Sequence, residues 1–516
     1  MTRKLFYMLI CQLLCMNIAA QVNPMAGVYS YKDADGAYGS ITVATGQGGK
    51  IYFEATSVNA EGNIASIRTE CGEWAKLTGN RAVFTQHFDD CVYTLTLDFN
   101  KAAGTITAKE EYSRWAPIFG RGATLEGTYK KESGTIGDNR GYLYSYMSDG
   151  TLGLCQGGRY TGIVRIPESI QMPDGKELTV STIRKYAMQN PYYEDEKDGL
   201  REVYVPSSVT MVGVNAFTGN KYLNKVVYDN PRNVYVEAGA YMNCPQLKLF
   251  PTSPIYGYCN YYNEDRASAF SKFMYPIDEK MTGAELSQYK WACFKHWHNR
   301  IGNPVASNMD KTEGCMAAFS DWRKVKGYIY SLRDPKQGAN MFWGYDPNEA
   351  IVVMVDNDYM GKHTFPQYNR WRWGEEAESK STAFKQQMEK RYGRKVRYSY
   401  VAAKLRDDNR NLSVTEFEIT NNEALVVIAW SNADNIVCTW EKRQQLEDGE
   451  GGSVWNVDDD GEYGIPAILC IAEGDEGALE IFMNHQAPES VNIERLVRHG
   501  DKLVKEGGDQ WYVWYD

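Results

Sequence analysis

Three residues in the second half of the chain carry side-chain donors that transition metals prefer. Cys293, His296 and His298 offer one sulfur and two imidazole ligands within a short stretch. The surrounding apolar pattern predicts a helix, on which Cys293 and His296 share a face while His298 points about 200° away. The three side chains cannot then converge on one ion. We therefore predict no metal site and no cofactor.

Other patterns that support ion binding or catalysis are incomplete. Asp356-x-Asp358-x-x-Gly361 resembles the start of a calcium loop, but the twelfth position from Asp356 holds Gln367 instead of Glu. The sequence has no Gly-x-Ser-x-Gly motif, no phosphate-binding loop and no dinucleotide fingerprint. Glycoside hydrolysis needs a pair of carboxylates, and the 66 acidic residues offer many possible pairs. Nothing in the sequence singles one pair out. We predict no catalytic residue and favour a non-enzymatic role over an enzymatic one.

One cluster has the composition of a binding surface. Arg370, Trp371, Arg372 and Trp373 alternate cationic and aromatic side chains. On a strand both tryptophans would lie on one face, where they could stack on a sugar or a peptide. The same residues could instead belong to a core, and the sequence leaves both interpretations open.

The composition is that of a folded protein that is not a general nucleic-acid binder. The chain has 516 residues, 43% of them apolar and 24% charged, and its formal net charge is −10. Nucleic-acid binding needs a basic field, which this balance does not provide. Aromatic residues reach 13%, and tyrosine and tryptophan favour β-sheets and recognition surfaces.

Residues 1–20 have the features of a secretory signal peptide. Arg3-Lys4 precedes an apolar stretch over residues 5–18, which the small residues Ala19-Ala20 follow. An N-terminal core helix is the alternative. No later segment approaches the ~20 apolar residues of a membrane-spanning helix. We expect an exported mature chain without a transmembrane segment, in the periplasm, on the cell surface or outside the cell.

Residues 21–131 are predicted to form a small antiparallel β-barrel or sandwich. Short strand patterns alternate with Asp-Gly, Gly-Gly and Gly-Asn steps that are typical of hairpins. Over residues 92–99, large apolar residues alternate with threonine and aspartate, as in a half-buried strand.

The same region contains a series of short motifs: Gly27-x-Tyr29, Cys71-Gly72-Glu73, Cys91 and Gly120-x-Gly122-Ala123. Their order resembles a small exported β-domain that accompanies lysozyme-inhibitor-type bacterial proteins. The resemblance implies that Cys71 and Cys91 approach each other on adjacent strands and form a disulfide. Two buried thiols are the alternative.

An internal repeat occupies residues 141–253. Leu200, Leu223 and Leu247 are 23 and 24 residues apart, and the first two begin similar runs of valine, alanine and aromatic residues. Each unit supplies a short strand and a tight return, neither of which can bury its apolar side alone. We predict a short solenoid of stacked coils with Leu, Val, Ile and Ala inside.

Two units carry a further resemblance: Val203-Tyr204-Val205-Pro206-Ser207-Ser208-Val209 and Val164-Arg165-Ile166-Pro167-Glu168-Ser169-Ile170. They resemble the BspA-type leucine-rich repeat of bacterial surface proteins. The resemblance implies recognition of a protein or glycan instead of chemistry. Tyr204 and Tyr228 are the candidate contact residues of this face, and a purely structural spacer is the alternative.

Residues 254–516 resemble no family that we can name, and their pattern predicts an α+β domain with a mostly antiparallel sheet. Helices are expected over residues 283–301 and 381–392. The first rests on five residues that recur every three to four positions: Leu286, Tyr289, Cys293, Trp297 and Ile301.

The sequence therefore predicts a multidomain, β-rich, exported bacterial protein that binds a protein or glycan through its leucine-rich-repeat face. Two alternatives stay open. One is a hydrolase with its site in residues 254–516, and the other is a lysozyme-inhibitor-like activity of residues 21–131.

Overall fold

The computed structural model describes residues 20–69, 75–88, 91–114, 118–158, 160–190, 199–259, 272–276, 281–306, 327–334, 351–370, 376–446, 455, 463–487 and 490–512. The chain divides into two compact units, Met1–Leu249 and Phe250–Asp516. The first unit holds both the predicted barrel region and the repeat region. The second begins close to the expected boundary at residue 254.

The strands of the first unit are β1 (Ala20–Asn23), β2 (Gly27–Lys32), β3 (Tyr38–Gly46), β4 (Lys50–Val58), β5 (Ile64–Arg68), β6 (Ala75–Thr78), β7 (Arg81–Phe88), β8 (Cys91–Asn100), β9 (Thr105–Tyr112), β10 (Gly127–Lys131), β11 (Thr135–Asp138), β12 (Leu143–Tyr146), β13 (Leu152–Leu154), β14 (Gly162–Arg165), β15 (Ser169–Gln171), β16 (Glu177–Ile183), β17 (Leu200–Val205), β18 (Met211–Val212), β19 (Lys225–Tyr228) and β20 (Tyr235–Val236).

Eight antiparallel strands of this unit pair in a closed ring. Their order is β2–β3–β4–β6–β7–β8–β9–β10, and β10 pairs with β2 again. β5 pairs with the part of β4 that β6 leaves uncovered. Large residues of β8 alternate toward the interior, where Tyr93 and Leu95 are completely buried. The ring agrees with the predicted barrel and not with an open sandwich.

The repeat region forms two parallel ladders. One joins β14, β17 and β19, and the other joins β16, β18 and β20. The paired residues Glu202 and Lys225 are 23 positions apart, and Met211 and Tyr235 are 24 apart. Because these separations equal the sequence repeat, each repeat is one coil of a parallel stack.

Apolar side chains from successive coils fill the interior of the stack: Val164, Ile183, Val203, Val212, Ala216, Leu223 and Val236. The backbones approach closely where the coils turn. A Cβ added to Gly213 would lie 2.5 Å from the backbone nitrogen of Lys185, so this position requires glycine.

β1 lies with the solenoid and not with the barrel. Ala20 pairs with Ile170 of β15, and Val22 pairs with Asp138 of β11. The first residues of the predicted barrel region 21–131 therefore belong to the solenoid sheet. The barrel itself begins at β2.

The strands of the second unit are β21 (Ile255–Cys259), β22 (Lys272–Pro276), β23 (Trp291–Phe294), β24 (Trp297–Arg300), β25 (Val305–Ala306), β26 (Gly327–Ser331), β27 (Ile351–Val355), β28 (Tyr368–Arg370), β29 (Val396–Leu405), β30 (Arg410–Phe417), β31 (Glu423–Asn432), β32 (Asn435–Gln445), β33 (Ala467–Glu473), β34 (Leu479–Ala487), β35 (Ser490–His499) and β36 (Lys502–Tyr512). The α-helices among its described residues are α1 (Gly283–Leu286), α2 (Asn357–Lys362) and α3 (Thr382–Tyr392).

These strands form two sheets. A seven-stranded antiparallel sheet has the order β24–β23–β27–β21–β22–β26–β25, and a nine-stranded sheet has the order β28–β29–β30–β31–β32–β36–β35–β34–β33. The latter is mostly antiparallel, as predicted, and β32 and β36 pair in parallel.

The nine-stranded sheet curls until its two end strands meet. Tyr368 Oη of β28 donates to the Ile468 carbonyl of β33 at 3.2 Å, and Thr364 bridges to Glu473. One apolar core fills the concave side. We call this element the curled sheet.

The predicted helix at residues 381–392 is confirmed as α3. The Ser381 hydroxyl accepts from the Phe384 amide at 3.0 Å, and the helix ends at Gly393 in the left-handed conformation. Phe384 and Met388 pack against the outer face of the curled sheet.

The predicted helix at residues 283–301 is wrong. Only α1 is helical there, and β23 and β24 form an antiparallel hairpin that turns at Lys295, whose φ is 53°. Trp, Phe and Cys fit strands well, and β23 is buried throughout. A strand buried on both faces lacks period-two alternation, so the spacing of three to four residues was coincidental.

Among the described residues, no helix combines the length and apolarity needed to cross a membrane.

Removal of one coil-to-coil contact should destabilise the solenoid strongly. Leu223 is fully buried in the stack, so Leu223→Ala should lower the free energy of unfolding by about 2–5 kcal/mol in urea titrations. Asn224→Ala, at the exposed neighbouring position, should change it by no more than ~0.5 kcal/mol. Equal losses in the two variants would contradict stacking as the source of stability.

The structure has Cys91 as a free thiol, and Cys71 lies outside the described residues, so the Cys71–Cys91 disulfide stays a prediction. Cys91 is buried at the start of β8, and its thiol lies 3.3 Å from the Arg114 carbonyl. Peptide mapping of protein exported into an oxidising compartment should yield a linked Cys71–Cys91 peptide that disappears on reduction. Alkylation of both residues without a reductant would show that they are thiols.

Candidate binding sites

The outer face of the ladder β14–β17–β19 presents side chains from three successive coils. Val203 and Val205 point into the stack, so the alternate positions Glu202 and Tyr204 point outward. Parallel pairing aligns Tyr204 with Arg165 of the preceding coil.

A cationic and aromatic cluster forms on this face. The Arg165 guanidinium carbon lies 3.9 Å from the centre of the Tyr204 ring, and Lys225 Nζ lies 5.5 Å from it. Tyr204 Oη donates to Glu202 at 2.8 Å. Ile163, beside Arg165, is 56% exposed. We call Ile163, Arg165, Glu202, Tyr204 and Lys225 the coil-face cluster.

The two cations of this cluster keep their charges available. Within the part of the chain that the structure describes, neither Arg165 nor Lys225 forms an ion pair with a carboxylate. Both side chains are exposed. The cluster therefore offers a ligand two positive charges and an apolar rim, beside the carboxylate of Glu202.

The other predicted binding residues have different surroundings. Tyr228 packs against the solenoid core, and its hydroxyl shares a hydrogen bond with the Tyr241 hydroxyl. Arg370 is buried at the end of β28. Trp371, Arg372 and Trp373 lie outside the described residues, so a role for them in binding stays a prediction.

A second cluster lies on the concave side of the curled sheet. In β34, Leu479, Ile481 and Met483 face the apolar core, and His485 continues this row. Glu494 of β35 pairs with Met483 and lies on the same side. With Glu416, Tyr463 and Lys505, these two residues make up what we call the polar end.

Contacts within the polar end are close. Lys505 Nζ donates to Glu494 Oε1 at 2.8 Å, and His485 Nδ1 lies 3.8 Å from Glu494 Oε2. The rings of Tyr463 and His485 meet edge to face at 4.6 Å. The Tyr463 amide donates to Glu416 at 3.0 Å.

Burial controls protonation at the polar end. It lowers the pKa of His485 to about 4, and Lys442 and Lys505 offset the opposing attraction of Glu494. Burial also raises the pKa of Tyr463 well above its usual value. At neutral pH the imidazole and the phenol are therefore uncharged.

A third cluster has a structural role. Glu480 on the outer face of β34 accepts from Tyr359 at 2.9 Å and from Arg495 at 2.8 Å, and lies 3.5 Å from His363. Burial would raise the pKa of Glu480, but hydrogen bonds from His363 and Arg495 outweigh burial and lower it to about 2. These contacts attach α2 to the curled sheet.

The sequence motifs considered for metals have ordinary roles. Asp356 caps α2 by accepting from the Tyr359 amide at 2.7 Å, and Asp358 accepts from the Phe250 amide at 3.0 Å. Cys293 and His298 are opposite each other in the hairpin β23–β24. In the described ranges, no three His, Cys, Asp or Glu side chains are grouped to hold a metal ion.

Comparison with known proteins gave no match to a family model or to a curated protein. Two solved structures are similar to part of the chain. A leucine-rich cell surface protein from Faecalibacterium prausnitzii A2-165 is 24% identical, with a TM-score of 0.19, over 21% of this chain and 28% of that one. A leucine-rich repeat protein from Bacteroides capillosus ATCC 29799 is 27% identical, with a TM-score of 0.18, over 21% of this chain and 75% of that one. The chain thus spans little more than a quarter of the first of these proteins.

The buried His485 should make the second unit sensitive to acid. Its pKa falls from 6.5 when unfolded to about 4 when folded, so the unfolded state binds more protons between these values. The free energy of unfolding is therefore highest above pH 6.5. As the pH falls from 7.5 to 5, protonation of His485 in the unfolded state lowers it by about 2 kcal/mol. His485→Gln should remove this part of the pH dependence.

Urea titrations followed by tryptophan emission measure this effect, since most tryptophans lie in the second unit. His499→Gln is the matched control, because the His499 side chain is 57% exposed. If His485→Gln and the wild-type protein lose the same free energy over this pH range, His485 is not the source.

Proposed function

We propose that the chain is an exported, non-enzymatic binding protein that recognises a protein or glycan through the outer face of its solenoid. The coil-face cluster is the observation that carries the proposal. Its side chains come from three coils, and its two exposed cations have no carboxylate partner among the described residues. Location at the cell surface and relation to BspA-type proteins are parts of the same proposal.

The physical chemistry of the cluster favours a ligand with negative charge. Arg165 and Lys225 lie on either side of one aromatic ring in a protein whose net charge is −10. The acidic surface of the protein repels a negatively charged ligand, whereas a local positive patch attracts it. The patch therefore determines where an acidic ligand binds. Ile163 adds apolar contact area at the edge of the patch.

The alternatives draw on other parts of the chain. The polar end, with buried Glu416 and Glu494, is the feature that favours a hydrolase in the second unit. Both carboxylates are already paired, with Arg397 and Lys505 respectively. A lysozyme-inhibitor-like activity of the first barrel stays a prediction for a lysis assay.

The proposal is tested by surface plasmon resonance against heparin, chondroitin sulfate, hyaluronate, fibronectin and collagen. At least one should bind saturably to the wild-type chain, and added salt should weaken the complex. The double variant Arg165→Ala/Lys225→Ala should bind at least tenfold more weakly, because both cations are lost.

The matched control is Lys101→Ala/Lys109→Ala, which removes two exposed cations from the first barrel. It should bind as the wild type does. An equal loss in both double variants would indicate an effect of net charge alone, and silence across the whole panel would support the spacer alternative.

A further inference from the structure

The polar end contains three buried polar atoms that lack hydrogen-bond partners. Within the described residues, Tyr463 Oη, His485 Nε2 and Glu494 Oε2 have none. Tyr463 is 3% exposed and Glu494 is 8% exposed, so bulk solvent does not reach these atoms freely.

These atoms belong to side chains that touch one another. The Tyr463 and His485 rings are 4.6 Å apart, and His485 Nδ1 is 3.8 Å from Glu494 Oε2. Buried polar groups in folded proteins are almost always satisfied by protein, water or a ligand. Three unsatisfied atoms on three adjacent side chains therefore indicate a place where a polar molecule binds.

Each carboxylate of the polar end already has a cationic partner. Lys505 neutralises Glu494 through its other oxygen, at 2.8 Å. Arg397 contacts Glu416 at 3.0 Å, and the Tyr398 hydroxyl also donates to Glu416. Lys442 Nζ lies 5.5 Å from the Tyr463 ring centre. A cation would meet these ammonium and guanidinium groups, and an anion would meet the carboxylates, so a neutral ligand fits best.

The unsatisfied atoms also define the hydrogen bonds that the ligand must make. Glu494 Oε2 can only accept, whereas the Tyr463 hydroxyl can donate or accept. The neutral His485 imidazole offers one more polar atom. Trp455 and Tyr463, whose rings meet edge to face at 5.4 Å, supply apolar surface beside them. A hydroxyl on a sugar ring both donates and accepts and has C–H surface beside it, so it matches these partners.

We propose that the polar end binds a neutral sugar through adjacent hydroxyl groups, with Glu494, Tyr463 and His485 as its hydrogen-bond partners. This site lies in the second unit and is independent of the coil-face cluster. It binds without catalysing a reaction, so the expected readout is affinity.

The test is isothermal titration calorimetry of the full chain with D-glucose, D-galactose, D-mannose and N-acetyl-D-glucosamine. At least one should bind saturably. Tyr463→Phe removes the unsatisfied hydroxyl and keeps the ring, and Glu494→Gln removes the carboxylate. Each should weaken binding of that sugar at least tenfold.

Two controls separate this site from the rest of the molecule. Tyr392→Phe removes a hydroxyl that bonds to Thr439, beside the α3 core, and should leave the affinity unchanged. The double variant Arg165→Ala/Lys225→Ala should also bind the sugar with wild-type affinity. A result against the sugar site can thus be told apart from a result against the proposed solenoid function. Absence of binding by all four sugars, or equal affinities of Tyr463→Phe and the wild type, would overturn the proposal and leave ordered water as the occupant of the polar end.

Discussion

The first unit depends on one constraint, which is that no coil of the solenoid can bury its apolar side without a neighbour. Val203 and Leu223 are removed from water only because the next coil lies against them in parallel register. Gly213 permits the close approach of the backbones at the turn. At the start of the stack, β1 and the strands β11 to β13 join the same sheet and cover the first coil. This packing of the coils also determines where the outward-facing side chains lie.

The sequence predicts those parts of the fold whose signal repeats along the chain. Leu200, Leu223 and Leu247 set a period that the parallel ladders reproduce. Alternation in β8 likewise predicts a strand with one face inward. Ser381 and Gly393 mark the two ends of α3 through capping, which is a local effect. In each case the deciding interaction is periodic or lies within a few residues.

Other features were beyond such reasoning because they depend on distant partners. β23 is buried along its whole length, so it lacks the alternation of a half-exposed strand, and its apolar residues happen to fit a helical spacing. Tyr204 and Tyr228 occupy similar strands and both are half-buried, yet their hydroxyls have different partners, Glu202 for Tyr204 and Tyr241 for Tyr228. The polar end joins Glu416, Tyr463, His485 and Glu494 from separate segments, and none of them forms a recognisable motif with its neighbours in the sequence.

The origin of the coil-face cluster has a geometric consequence. Arg165, Tyr204 and Lys225 stand on consecutive strands of one ladder, whose spacing is about 4.8 Å. The spacing of their backbones is therefore set by strand pairing and not by flexible loops. An extended polymer that lay along the solenoid axis would therefore meet one strand of the ladder about every 4.8 Å.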